Sequence, residues 1–214
     1  MSLESYVHRF VPGADASGQT LVLLHGTGGD EESFLDLGRA LMRPGEPAMA
    51  MLSIRGNVSE NGMNRFFRRL AEGVYDMEDL ARRTGELDVF LASAAAHFDR
   101  PQTGFIGVGY SNGANILANL LFTRPAAVGA AVLMHPLIPF TPEPQPGLAG
   151  KPVFVSAGEE DPITTFEETQ TLMEWLGRQG AQIAAAVHRG GHEVRPEEVE
   201  AIRNWVAGLR RIGT

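Results

Sequence analysis

Short apolar runs alternate with longer stretches of helical period along most of this chain. Thr20-Leu21-Val22-Leu23-Leu24 has the length of a buried strand, and residues 31–42 read as a helix closed by Pro44-Gly45. Residues 48–54 form a second strand-length run. Over 76–98, Leu80, Leu87, Phe90, Leu91, Ala94 and Phe98 recur at helical spacing. Residues 104–110 read as a strand, 112–122 as a helix stopped before Arg124-Pro125, and 128–134 and 152–157 as strands flanking a Pro-rich connector, 136–146. A helix near 165–178, a strand at 182–187 and a last helix near 197–210 complete the pattern, and 6–11 has the length of an early edge strand.

Alternation of this kind requires crossover connections, so the pattern predicts an α/β fold: a mostly parallel sheet with helices on both faces. No repeat, charge block or low-complexity linker interrupts the 214 residues, which predicts a single domain over 1–214 without a separate cap domain. The segment 56–75 departs from the regular order. It carries Asn57, Asn61, Gly62 and Asn64, then Arg65-Phe66-Phe67-Arg68-Arg69. A connection of this length is usually functional or mobile.

Composition narrows the chemistry. The formal net charge of -8 argues against a nucleic acid or an anionic membrane held by diffuse electrostatics. With no Cys, thiolate nucleophiles, disulfides and Cys-ligated metals are excluded together. The N-terminal residues show no basic region followed by an apolar core, and no apolar run is long enough to span a bilayer, so a cytoplasmic protein is expected.

The sharpest motif is Gly109-Tyr110-Ser111-Asn112-Gly113, between an expected strand and an expected helix. A nucleophilic serine must be lifted clear of the sheet on a tight turn, and larger side chains at Gly109 and Gly113 would clash as strand and helix approach. The helix after Ser111 also directs free backbone N–H groups at a developing oxyanion. His25-Gly26-Thr27-Gly28-Gly29-Asp30 ends the first long strand. It offers a second oxyanion donor at Thr27 beside the N–H of Asn112. Neither G-x-x-x-x-G-K-[ST] nor G-x-G-x-x-G is present, which disfavours a nucleotide site. His25 itself reads as a loop-tying residue.

Serine needs an imidazole to take its proton, and the imidazole needs a carboxylate. His192, after Gly190-Gly191, falls between the last strand and the last helix, at the carboxyl edge of the sheet where Ser111 is expected. His135, after the strand 128–134, competes for that place, whereas His8 and His97 read as surface residues. For the acid, Asp161 follows the strand 152–157 and precedes Pro162, with Glu159 and Glu160 as alternatives. Thr164 and Thr165 each precede a Glu by three residues, so the next helix has its own capping candidates and Asp161 is left for a partner across space. The order Ser111, Asp161, His192 is the one expected for a hydrolase on such a sheet.

On these motifs the chain resembles the α/β-hydrolase superfamily, and within it the phospholipase/carboxylesterase group that includes acyl-protein thioesterases. Arg55-Gly56, Glu60-Asn61-Gly62, Arg65-Phe66-Phe67-Arg68 and His135-Pro136-Leu137-Ile138 are similar to a bacterial subgroup of small hydrolases tied to hydroquinone or copper stress. The resemblance implies a serine esterase with a Ser111–His192–Asp161 triad, needing no cofactor or metal, and a homodimer. In size and order the chain also resembles dienelactone hydrolases. Those use Cys as nucleophile, which counts against lactone opening of that type here.

A small-molecule ester of short acyl length is the expected substrate. Met63, Phe66 and Phe67 are expected to wall the acyl side and Leu137 and Ile138 another side. Arg55 and Arg65, with Arg68 and Arg69, are candidates for an anionic substrate group. The rival readings are a thioesterase or lipid deacylase on the same residues, a non-catalytic binding module, and a nicotinamide-dependent oxidoreductase, the last disfavoured by the missing phosphate fingerprint.

Overall fold

The computed structural model describes residues 3–14 and 18–212. Met1 and Ser2, part of the N-terminal stretch read for a leader, lie outside them. A seven-stranded sheet organises the chain. In chain order its members are β1 (His8–Val11), β2 (Thr20–Leu24), β3 (Ala50–Ile54), β8 (Phe105–Tyr110), β9 (Ala130–Met134), β10 (Pro152–Gly158) and β11 (Gln182–His188). Across the sheet the order is β1-β3-β2-β8-β9-β10-β11. Only β1, on the edge, runs antiparallel to its neighbour; every other pairing is parallel.

The apolar runs are buried on both faces. Val22 and Leu24 of β2 join one cluster, while Leu21 and Leu23 join the other. The first cluster takes Leu80, Leu87 and Phe90 from α2 (Met77–His97), Ile116 and Leu120 from α3 (Asn112–Thr123), and Leu172 and Trp175 from α4 (Phe166–Arg178). The second takes Leu35 from α1 (Leu35–Ala40) and Ile202 and Val206 from α5 (Pro196–Ile212). Period-2 strands with apolar residues at every position can be buried only this way, between two helical layers. Among the described residues no helix is long and apolar enough to cross a membrane.

Two expectations change in detail. The helix expected over 31–42 shortens to α1, because Asp30 folds the preceding residues into a turn: its Oδ1 accepts the N–H groups of Glu32 and Ser33, both at 3.0 Å. The irregular segment 56–75 is two small hairpins, β4 (Val58–Glu60) with β5 (Met63–Arg65), and β6 (Arg69–Ala71) with β7 (Val74–Tyr75). It is pinned: Arg68 N–H donates to Asp79 on α2 at 2.8 Å, and Asp76 N–H to the Arg68 carbonyl at 3.2 Å. The helix after Asp161 starts as expected, with a complete capping box between Thr165 and Glu168.

Candidate active site

Parallel strands bring their carboxyl ends to one rim, so residues that follow β2, β8, β9, β10 and β11 meet there however far apart they lie in sequence. Ser111 caps α3 at φ 51° and ψ -117°, a conformation costly for any residue but glycine. The turn is possible because of its glycines. A Cβ at Gly113 would lie 2.1 Å from the Leu24 carbonyl oxygen, and one at Gly109 would lie 2.5 Å from that of Gly113.

The Ser111 hydroxyl stands 2.9 Å from His192 Nε2, and His192 Nδ1 stands 2.7 Å from Asp161 Oδ2. Ser111 and His192 are partly exposed and Asp161 is buried. Asp161 Oδ1 accepts the N–H groups of Ile163 and Thr164 at 2.8 and 3.0 Å. Burial raises the Asp161 carboxyl, but the donors from His192, Thr164, Ile163 and His135 outweigh it and hold the group below the ordinary aspartate range. The carboxylate is thus an acceptor, which fixes the proton of His192 on Nδ1 and leaves the Nε2 lone pair facing the Ser111 hydroxyl. Glu159 and Glu160, the alternative acids, are exposed, and their N–H groups hold the His192 loop through the His188 and Gly190 carbonyls at 2.8 and 3.0 Å. Tyr110 steadies the same loop, its hydroxyl donating to the His192 carbonyl at 2.6 Å; burial pushes that phenol up to about 12.

Asn112 opens α3, where a helix leaves its first N–H groups without intrahelical acceptors. Thr27 and Asn112 line the same cavity of about 300 Å³ as Ser111 and His192. His25 ties the Thr27 loop down: Nδ1–H donates to the Gly26 carbonyl at 2.6 Å and Nε2 accepts the Gly56 N–H at 2.9 Å. Its burial lowers its affinity for a proton. The hairpin segment braces this loop from above. Gly28 N–H donates to the Asn64 carbonyl at 2.9 Å, Asn64 Nδ2 to the Gly29 carbonyl at 2.8 Å, and Arg65 Nη1 to the Thr27 hydroxyl at 2.7 Å.

The remaining sequence candidates divide. Arg65 and Leu137 line the cavity. Phe66 and Phe67 are fully buried in the core instead, and Phe66 is held by its N–H donating to Asn112 Oδ1 at 2.7 Å. Met63 lies at the exposed end of its hairpin. Arg55 is engaged by Glu31 at 2.5 and 2.8 Å, and Ile138 belongs to a neighbouring groove of about 380 Å³ against α4. Arg69, a candidate cation in the sequence, also lines the cavity, as does Thr164, which the sequence offered only as a helix cap; sequence reasoning did not single out Tyr75 or Asn115, which line it too, nor Glu198 behind it. No local motif marks these; they converge only through the fold.

Residues 21–193 match the dienelactone hydrolase family. The chain is 44% identical over 189 residues to MhqD of Bacillus subtilis (strain 168), a protein assigned to the hydrolases, covering 88% of this chain and 92% of that one. A carboxylesterase from Bacillus cereus superposes with a TM-score of 0.90 at 43% identity, covering 95% of this chain and 94% of the other. The protein Atu2452 of Agrobacterium tumefaciens str. C58, of unknown function, does so with 0.84 at 45% identity, covering 97% and 98%.

Proposed function

The chain belongs to the dienelactone hydrolase family and is a hydrolase of the carboxylesterase type; on that premise we propose that it is a serine esterase acting on small, short-acyl esters through an acyl-enzyme. The observation that carries the proposal is the unbroken chain from the Ser111 hydroxyl through His192 to Asp161, at 2.9 and 2.7 Å. Ser111 attacks the ester carbonyl while His192 Nε2 takes its proton. The N–H groups of Thr27 and Asn112 receive the oxyanion; losing one such donor typically costs about 3–4 kcal/mol of transition-state stabilisation. His192 then protonates the departing alkoxide, and water repeats the cycle on the acyl-enzyme. No cysteine is available as an alternative nucleophile.

A cavity of about 300 Å³ suits a small substrate. Arg65 and Arg69 line it, yet both guanidinium groups engage Glu60, at 3.2 and 2.9 Å, and Glu72 also faces the space. These two cations are balanced by two carboxylates, so a neutral ester is the favoured substrate.

A thioester or lipid deacylase on the same triad is the second reading. The adjoining groove, apolar at Ile138, Phe140, Leu172 and Trp175, favours it. An ester and thioester series of graded acyl length separates the two: a rate optimum at short esters supports the first, and one at long acyl chains the second. Ser111→Ala tests both, together with fluorophosphonate labelling of the native enzyme. Turnover by the purified variant, or absence of labelling at Ser111, ends both readings.

A further inference from the structure

The network does not stop at Asp161. His135, turned inward by a left-handed backbone at φ 50°, also reaches Asp161 Oδ2 through Nδ1, at 3.0 Å. Its other nitrogen, Nε2, stands 3.5 Å from Glu198 Oε1 on α5. The side chains of His135 and Glu198 are wholly buried, and neither belongs to the proton path of the proposed reaction.

Charge balance fixes the protonation of this pair. Glu198 is surrounded by donors: the Ser156 hydroxyl reaches Oε1 and the Arg195 N–H reaches Oε2 at 3.2 Å. His188 accepts the Gly190 N–H on Nδ1 at 3.0 Å, which puts its proton on Nε2, 3.7 Å from Glu198 Oε2. Glu198 is therefore a carboxylate, and a buried carboxylate needs a cation. The Arg195 guanidinium is taken by Glu193 and Glu197. His135 is the group left between two buried anions. Its Nδ1 carries a proton toward Asp161, and an unprotonated Nε2 would set a lone pair against Glu198. Burial alone would lower His135, but the negative charge of Glu198 and Asp161, with the hydrogen bond to Asp161, raises it above an ordinary histidine.

We propose that His135 and Glu198 form an imidazolium–carboxylate pair behind Asp161 that positions its carboxylate and sets the pH at which the Ser111–His192 couple becomes active. This rests on the triad reading above. The His135 ring lies 5.2 Å from that of His192, close enough for a cation on His135 to oppose a second cation on the base. Among the described residues, Tyr110, with its ring 5.8 Å away, is the remaining titratable group facing His135, besides Asp161, Glu198, His188 and His192. A metal ion held by His135, His188 and Glu198 is the rival use of the cluster. It conflicts with the proton that His188 must keep on Nε2.

Two measurements decide the matter. Ring nitrogen NMR of the native enzyme, with His135 assigned by a His135→Gln variant, reads the charge directly. Both nitrogens protonated at pH 7 support the pair; a neutral ring, or stoichiometric metal released by a chelator, overturns it. In pH profiles of kcat/KM, His135→Gln should move the acid limb up, and Glu198→Gln should move it up by less because it removes an anion together with the cation, with partial return in Glu198→Asp. A folded Glu198→Gln enzyme with an unmoved acid limb overturns the proposal, and if that variant does not fold, the NMR result stands alone. Failure of the triad reading would show separately, as native enzyme that does not label at Ser111.

Discussion

Arg65 donates from Nη1 to the hydroxyl of Thr27 at 2.7 Å, joining a hairpin residue to the loop that carries the proposed oxyanion donor. The guanidinium is buried, and its Nε lies 3.2 Å from Glu60 and 3.3 Å from the Phe67 carbonyl, so its fork is fixed on three sides. An Arg in this position orients a loop as much as it lends charge.

Arg65→Met should therefore lower kcat about tenfold, less than outright loss of an oxyanion donor, with KM for a neutral ester changed little. Arg65→Lys should recover only part of the loss, because the ammonium cannot bridge the same acceptors. Steady-state kinetics on one activated ester check this. A rise in KM with kcat intact would assign Arg65 to substrate binding instead.

Asp161→Asn should reduce kcat by roughly three to four orders of magnitude while the protein stays folded, since an amide no longer holds the His192 proton on Nδ1. Circular dichroism alongside single-turnover kinetics would detect the alternative, a loss that merely follows unfolding.

Acid and alkaline stability should both carry the signature of the buried cluster. Asp161 and Glu198 are held below their ordinary values, since the donors around each outweigh the opposing effect of burial. Their contribution is complete above about pH 4, where the unfolded groups titrate, and is lost as pH falls through the depressed folded values. His135 is shifted upward, so its contribution is complete below about pH 6.5 and is lost as pH rises through its folded value. Urea midpoints of wild type and Glu198→Gln should differ most between about pH 5 and 6.5, and a difference constant across pH would contradict this.

Phe67→Ala should cost about 3–5 kcal/mol of stability, as a fully buried ring in the core, while short-ester turnover per folded molecule changes little. Leu137→Ala, which opens the cavity wall, should instead raise KM several-fold. Paired denaturation and kinetic measurements separate the two roles.

Gly113→Ala tests the turn itself. With a Cβ 2.1 Å from a strand carbonyl, the variant should lose roughly 3 kcal/mol or more and accumulate poorly as soluble protein. Normal stability would mean that α3 can retreat from β2.

The local parts were legible because their causes are local. Apolar runs named the strands, the Thr165–Glu168 spacing named a helix start, and two glycines flanking Ser111 named a turn that no bulkier residue permits. Parallel order then put Ser111, Asp161 and His192 on one rim. Side-chain direction was not legible. Phe66 and Phe67 sit in a segment whose polar neighbours suggested a loop over the site, yet both rings are buried in the core, Phe66 with its N–H on Asn112 Oδ1 and Phe67 against the Tyr75 ring. The same holds for Glu198, one of several acids at the start of a surface helix in sequence, and for His135, which competed with His192. Spacing along the chain constrains which elements form and the order in which they meet. Whether an imidazole and a carboxylate from separate elements face each other, buried and balanced, depends on how helix and sheet pack, and that is decided in three dimensions.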